Sequence, residues 1–208
     1  GTQMVCNGVL QVLGESGDRV SFTSREASPL PGDWGNVSLY AEGNTITHLD
    51  YEFANDGFTG DNVSNTTIDN VLMAGNLSLI ANGIYLTNSS DLTLTNNTIT
   101  VGGDYGIYSP DSPNLMVDGN DVSGVEYGIY SPDSPNSLFG NNEISSVSTG
   151  LYLVNSTNSV IQSNDISAES YGINIYNTDS MAVSDNIILV NSEFVKQWRY
   201  GVENNNSV

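Results

Sequence analysis

The sequence predicts an all-β protein, a right-handed parallel β-helix with about eight to nine coils of roughly 22 residues and three short strands per coil. Two observations lead to this prediction. The ten residues from Tyr105 to Asn114 recur without change from Tyr127 to Asn136, 22 positions further on. At closely similar spacing, five glycines are each followed by Ile or Leu, namely Gly83, Gly106, Gly128, Gly150 and Gly172.

Apolar residues alternate within each coil. In the best-defined coil, the residues at spacing two are Ile107 and Ser109, then Leu115 and Val117, then Val122 after a further turn. Spacing two is the period of a β-strand, and the Gly, Pro, Asn and Asp residues between these groups favour turns. Stacking of coils about 4.8 Å apart would bury the apolar side of each one. We therefore expect three strands per coil, with these five side chains inside.

The regularity of the repeat varies along a chain that we treat as one domain, residues 1–208. Residues 82–192 form regular coils, whereas residues 1–81 fit the same frame loosely, as irregular N-terminal coils. Residues 193–208 contain an insertion and a partial last coil. The insertion concentrates aromatic and cationic side chains, so we interpret it as a contact with a second copy, end to end, or with other domains of a larger surface protein. The candidate residues are Phe194, Trp198, Arg199 and Tyr200.

Asparagines recur in the same frame, at Asn97, Asn120, Asn142, Asn164 and Asn186. Asparagine tolerates the left-handed backbone conformation that sharp turns require. Amides stacked from coil to coil can also hydrogen-bond along a ladder. We interpret this row as structural rather than as a binding site.

The chain is strongly acidic, with 24 Asp and Glu against 4 Lys and Arg and a formal net charge of -20. Nucleic acids and anionic membranes require basic patches, so neither is an expected partner. The sequence has no apolar run long enough to span a membrane. Sequons for N-glycosylation favour an extracellular or cell-surface location. Their asparagines are Asn36, Asn62, Asn65, Asn76, Asn88, Asn96, Asn155 and Asn205.

The stretch from Asn82 to Ile188 resembles the β-helix repeats of the pectate-lyase-like superfamily. It is most similar to the group of carbohydrate-binding and sugar-hydrolase domains that includes the NosD-like periplasmic proteins. The matching features are the Gly-Ile-Tyr starts of the coils and the Asn-Asn-x-Ile turns, as at 96–99 and 141–144. The resemblance implies the β-helix fold and leaves the function open, because the repeats are scaffolding.

Two activities implied by this resemblance find little support in the residues. Polysaccharide hydrolases of the superfamily use clustered Asp with His, Arg and Lys, and the lyases use an Arg or Lys base. His48 is the single histidine, and no Arg or Lys lies between Arg25 and Lys196, which argues against an enzyme without excluding one. Copper delivery would need Cys, Met or His side chains together. Met4 and Cys6 are the only close pair, so we expect no copper site.

Two rows of outward side chains are candidate sites. Tyr85, Tyr108, Tyr130 and Tyr152 each follow an inward Ile or Leu and could form a platform for sugars. The alternative is that they only stabilise the sheet through cross-strand pairing. An acidic row is formed by Asp121, Glu143 and Asp165, where calcium is the one candidate cofactor. The alternative there is that the carboxylates splay into water.

Two functional hypotheses therefore stand. The first is a non-catalytic extracellular or cell-surface module with a structural, adhesive or self-assembling role. The second is a polysaccharide-binding or polysaccharide-cleaving protein that uses the tyrosine-lined sheet.

Overall fold

The computed structural model describes residues 2–74 and 82–190, and all regular secondary structure in these ranges is β-strand. Every pairing between strands is parallel and joins one coil to the next, as in the pairs Ile107 with Ile129 and Val117 with Phe139. Nothing in the described ranges forms a helix long and apolar enough to cross a membrane.

The strands align in three sheets that run along the solenoid. Sheet A consists of β1 (Met4–Cys6), β4 (Val37–Leu39), β6 (Phe58–Asp61), β8 (Ile84–Thr87), β11 (Tyr105–Tyr108), the ends of β13 (Asp121–Tyr130) and β15 (Glu143–Val154), and β18 (Tyr171–Tyr176). Sheet B consists of β2 (Gln11–Leu13), the starts of β5 (Thr45–Tyr51) and β7 (Thr67–Ala74), β9 (Thr93–Thr95), β12 (Met116–Asp118), β14 (Leu138–Gly140), β16 (Val160–Gln162) and β19 (Ala182–Ser184). Sheet C consists of β3 (Val20–Phe22), the ends of β5 and β7, β10 (Thr98–Thr100), the starts of β13 and β15, β17 (Asp165–Ala168) and β20 (Ile187–Val190).

The chain thus passes through each sheet eight times within the described ranges, which confirms the predicted β-helix and its three strands per coil. We number the coils 1 to 8 in chain order. The start of a further coil at Tyr200 lies outside the described residues, as do the other candidates for an assembly contact, Phe194, Trp198 and Arg199.

The core is a stack of apolar side chains from all three sheets. Ile107, Leu115, Val117 and Val122 are completely or almost completely buried, and so is the polar Ser109, which confirms the predicted inward positions. Their neighbours in the adjacent coils are buried as well, so the apolar rows continue along the solenoid. Because one coil offers only one layer of this core, stability depends on contact between neighbouring coils.

The corner between sheets B and C contains the asparagine row. The expectation that these asparagines themselves adopt the left-handed conformation is wrong. The left-handed residues are those immediately before the row: Asn96, Gly119, Asn141, Ser163 and Asp185. His48 and Asn70 take the same conformation at this corner in coils 2 and 3. The asparagines themselves are turned into the corner, where their amides form the expected ladder. Asn120 Nδ2 donates to Asn142 Oδ1 at 3.0 Å, and Asn142 Nδ2 donates to Asn164 Oδ1 at 2.9 Å. An asparagine must point its amide inward to form these hydrogen bonds. The residue before it therefore adopts the left-handed conformation of the turn.

The corner between sheets A and B contains a serine row that the sequence analysis missed. The row consists of Ser89, Ser112, Ser134 and Ser156, which are fully buried. The backbone N–H of each of the first three donates to the hydroxyl oxygen of the serine in the next coil. The distances from nitrogen to oxygen are 3.3 Å for Ser89 to Ser112, 3.1 Å for Ser112 to Ser134 and 3.2 Å for Ser134 to Ser156. These bonds satisfy buried donors at a turn, where strand pairing does not.

The repeated glycines form a row in sheet A, at Gly83, Gly106, Gly128, Gly150 and Gly172. Close packing between coils explains why these positions are glycine. A Cβ atom added at Gly128 would lie 2.6 Å from the carbonyl oxygen of Gly150 and 2.3 Å from Cγ2 of Ile144. Gly106 and Gly150 meet the equivalent atoms at similar distances. The backbones of neighbouring coils therefore approach too closely here for any larger residue.

Candidate functional site

The outer face of sheet A holds a row of stacked tyrosines, which we name the tyrosine ladder: Tyr85, Tyr108, Tyr130 and Tyr152. They lie in register in four successive coils and are half-buried. Ring centroids are 4.3 Å apart between Tyr85 and Tyr108, 5.4 Å between Tyr108 and Tyr130, and 4.7 Å between Tyr130 and Tyr152. The angles between successive ring planes are 17°, 12° and 3°. The rings therefore lie face to face, with their normals close to the direction of the stack.

This stacking limits how the ladder can meet a sugar. Tyr108 and Tyr130 each have a neighbouring ring against both faces. A pyranose packs its C–H bonds against the electron-rich face of an aromatic ring, and in these two rings both faces are covered by neighbouring rings. The inner rings of the ladder offer their edges and their hydroxyl groups instead.

Two further tyrosines, Tyr105 and Tyr127, lie beside the ladder, and we name them the flanking pair. The plane of Tyr127 is 86° from that of Tyr130 and 84° from that of Tyr152. Tyr105 is tilted by 55° to Tyr108 and by 26° to Tyr127, from which its centroid is 5.6 Å away. Since the ladder rings face along the stack, the face of Tyr127 is turned across it. Both members of the pair are half-buried. Sequence analysis missed them, although their identical positions in the exact repeat were a usable signal.

The pKa is raised for three of the six tyrosines in the ladder and the flanking pair. Partial burial, with smaller contributions from neighbouring tyrosines and Asp104, raises the pKa of Tyr105 to about 12. The pKa values of Tyr108 and Tyr130 are also raised, first by burial, with contributions from Asp111 and Asp133 respectively. At neutral pH all three hydroxyls can therefore donate as well as accept hydrogen bonds. We refer to the ladder and the flanking pair together as the tyrosine surface.

A polar cleft of about 440 Å³ is lined by residues of coils 1 to 3, among them Trp34, Asn36 and Asp56. Asp56 Oδ1 accepts a hydrogen bond of 2.6 Å from the backbone N–H of Asn82, and Asn82 Oδ1 accepts one of 3.0 Å from the N–H of Tyr105. Burial raises the pKa of Asp56. These contacts follow the edge of sheet A from coil to coil, so the cleft and the flanking pair occupy the same edge.

The acidic row of Asp121, Glu143 and Asp165 lies in register on sheet C, with exposed side chains. Within residues 2–74 and 82–190, no three His, Cys, Asp or Glu side chains lie close enough together to hold a metal ion. A calcium site on this row therefore remains a sequence-based prediction without a formed cluster.

Arg19 has a structural role, and His48 lies at a corner. Arg19 Nε lies 2.6 Å from Asp50 Oδ1, and the same guanidinium donates to the carbonyl oxygens of Leu49 and Asn70. It thereby joins three successive coils. His48 occupies a left-handed corner, where its φ is 49°. Neither residue lies on sheet A.

The sequon asparagines mostly occupy turns. The exposed ones are Asn62, Asn65, Asn88, Asn96 and Asn155, and all five have a positive φ. Asn36 is half-buried and donates to Thr59 Oγ1 at 2.6 Å, while Asn76 and Asn205 lie outside the described residues. Selection of Asn for left-handed corners offers a structural reason for these triplets. Their glycosylation stays a prediction.

Comparison with protein families gives a match to NosD, described as a periplasmic copper-binding protein, over residues 18–206. The chain belongs to the NosD family. This confirms the resemblance inferred from the Gly-Ile-Tyr and Asn-Asn-x-Ile segments. The family is described as periplasmic, which is broadly compatible with the predicted extracellular or cell-surface location. A comparison with curated proteins finds no match.

Comparison with solved structures gives matches of low similarity to this NosD-family chain. The catalytic domain of a GH87 alpha-1,3-glucanase in complex with tetrasaccharides is 12% identical, with a TM-score of 0.40, and the match covers 91% of this chain and 52% of that domain. This chain thus spans about half of that domain. An alginate lyase from Paenibacillus sp. str. FPU-7 is 11% identical, with a TM-score of 0.39 and coverage of 93% of this chain and 90% of the lyase.

The soft donors of this NosD-family chain do not fit a copper site. Met4 and Cys6 lie in β1 in coil 1, whereas His48 lies at the opposite corner of coil 2, between sheets B and C. Met73 is buried in the core of coil 3, and Met116 is on the outer face of sheet B in coil 5. Burial also raises the pKa of the Cys6 thiol, which disfavours the thiolate that binds metal.

Because these donors are dispersed, we expect no tight copper site in this chain. A chelator with high affinity for Cu(I), added in equimolar amount, should remove all copper from the protein, as measured by the absorbance of the chelator complex. Cys6→Ser should leave this result unchanged. Retention of one Cu(I) per chain, lost in Cys6→Ser, would contradict the expectation.

Proposed function

We propose that this protein lies outside the cytoplasmic membrane and binds a polysaccharide along sheet A. The observation that supports this function is the tyrosine surface, six half-buried tyrosines in four successive coils. Aromatic side chains with one apolar and one polar end are typical of binding surfaces. The periplasmic description of the family is consistent with the proposed location.

The two parts of the surface would serve a glycan in different ways. The rings of the flanking pair are half-buried and turned across the ladder, so we infer that pyranoses would pack on their outward sides. The ladder would offer a row of phenol hydroxyls to the sugar oxygens. The rows run along the solenoid axis, with one ladder position per coil. An elongated ligand that follows this axis would contact several coils at once, so a polymer fits the surface better than a single sugar.

The first test removes the ring faces. In the double variant Tyr105→Ala/Tyr127→Ala, we expect glycan affinity to fall about tenfold, because two stacking contacts are lost. Affinity electrophoresis against neutral, acidic and amine-bearing polysaccharides measures the effect. Tyr105→Phe/Tyr127→Phe should bind almost as well as the natural chain, since the faces remain.

The matched control is Tyr40→Ala, which removes an exposed tyrosine outside the tyrosine surface. Its affinity should not change. The proposal fails if no polysaccharide of the three classes is retained. It also fails if the Tyr40 variant and the flanking-pair variant lose the same affinity.

A further inference from the structure

Four carboxylates border the tyrosine surface on both sides in coils 5 and 6. Asp104 directly precedes Tyr105 and Glu126 directly precedes Tyr127. On the other side, Asp111 and Asp133 follow Tyr108 and Tyr130 by three residues, at the corner that leads to sheet B. All four are exposed, and three of them, Asp104, Asp111 and Asp133, each make a small contribution to a raised phenol pKa.

The fold itself does not require carboxylates at this corner. The left-handed residue of the corner is Asn62, Asn88, Asn155 or Asn177 in the coils on either side. Asparagine therefore makes the same turn, and Asp occurs only in the two coils that contain both a ladder tyrosine and a flanking tyrosine. Asn155 Nδ2 donates to Asp133 Oδ1 at 2.8 Å, a contact that an asparagine at position 133 can also accept.

Lys and Arg are absent from the coils that carry these carboxylates. Arg19 is bound to Asp50 and Arg25 follows β3, so both lie in the first coil, and residues 26–190 contain no Lys or Arg. The aromatic faces and the carboxylates both attract cations, the first through the ring quadrupole and the second through their charge. A uronic acid polymer would be repelled by the same groups.

We propose that the tyrosine surface selects a glycan with protonated amino groups, such as a polymer of glucosamine. This inference rests on the proposed function and names its ligand class. The sugar rings would lie on the flanking pair, and the amines would lie toward Asp104 and Glu126 on one side and Asp111 and Asp133 on the other.

The test uses three oligosaccharides of equal length: a glucosamine oligomer, its N-acetylated form and a uronic acid oligomer. Calorimetry at about pH 5.5 keeps exposed carboxylates ionised and amines protonated. We expect the glucosamine oligomer to bind about tenfold more tightly than the N-acetylated form, and the uronic acid oligomer not to bind. Raising the salt from about 50 to about 300 mM should reduce this preference, because screening weakens exposed charge pairs.

Matched variants test whether the carboxylates beside the tyrosine surface cause the preference for glucosamine. Asp111→Asn/Asp133→Asn keeps the left-handed turns and should weaken glucosamine binding about three- to tenfold, without changing binding of the N-acetylated form. The control Asp121→Asn/Asp165→Asn removes two exposed charges on sheet C and should change neither. Equal binding of both forms, equal losses in the two variants, or equally tight binding of poly-lysine would overturn the inference alone. Failure of all oligosaccharides to bind would overturn the proposed function with it.

Discussion

Replacing Gly128 by alanine is expected to lower the free energy of unfolding by about 3 kcal/mol, at the upper end of the cost of overpacking. The added Cβ would lie 2.3 Å from Cγ2 of Ile144 and 2.6 Å from the carbonyl oxygen of Gly150. Ile144 can change rotamer, but the carbonyl belongs to the backbone of the next coil and cannot move alone. The two coils would have to separate, which weakens strand pairing and core packing together. Equilibrium unfolding in urea measures the loss.

The control for this variant is Gly17→Ala. Gly17 has no atom within 4 Å of the added Cβ, so the same chemical change should alter stability by less than about 0.5 kcal/mol. Equal stability of Gly128→Ala and the natural chain would show that the coils are not packed as closely as described.

Replacing Asn142 by alanine is expected to lower the free energy of unfolding by about 3–5 kcal/mol, because a buried amide loses four hydrogen bonds at once. Asn142 Oδ1 accepts from both the backbone N–H and the side-chain amide of Asn120, each at 3.0 Å. Asn142 Nδ2 donates to the carbonyl oxygen of Val117 at 3.0 Å and to Asn164 Oδ1 at 2.9 Å. No water can reach this corner without opening the stack. The urea midpoint should fall, and amide hydrogen exchange should accelerate first in the neighbouring coils.

The control is Asn174→Ala, the same substitution in strand β18 on the outer face of sheet A. Its amide is partly exposed, so its removal should have little effect. If the Asn142 and Asn174 variants were equally stable, the amide ladder would not contribute to stability as proposed.

The sequence was sufficient to predict the architecture because the repeat fixes three separate things. The period gives the coil length, the alternation gives the inward residues, and the turn residues give the corners. Val117 and Val122 could be assigned to the interior individually for this reason. The left-handed residues were misplaced by one position, since Asn96 and Asn97 are both asparagines and the pattern does not show which one turns inward. The serine row was missed because serine is as common on surfaces as in buried corners.

The candidate site was only partly predictable. Register placed Tyr108 and Tyr130 on the same outer face, but the angle between their rings depends on side-chain rotamers, which periodicity does not specify. The covered faces of the ladder and the crosswise rings of Tyr105 and Tyr127 therefore required the structure. The relation between the Asp residues and the tyrosines also emerged only when left-handed corners could be compared coil by coil.

The equal length of coils 5 and 6 has a genetic consequence. Because Tyr105 to Asn114 and Tyr127 to Asn136 are identical and 22 positions apart, misaligned recombination between their codons would delete or add one whole coil. Strand pairing joins each coil to the next one, so the glycine, serine and asparagine rows would rejoin in register after such an event. The protein can thus change in length during evolution by whole coils, and the number of paired tyrosines would change with it.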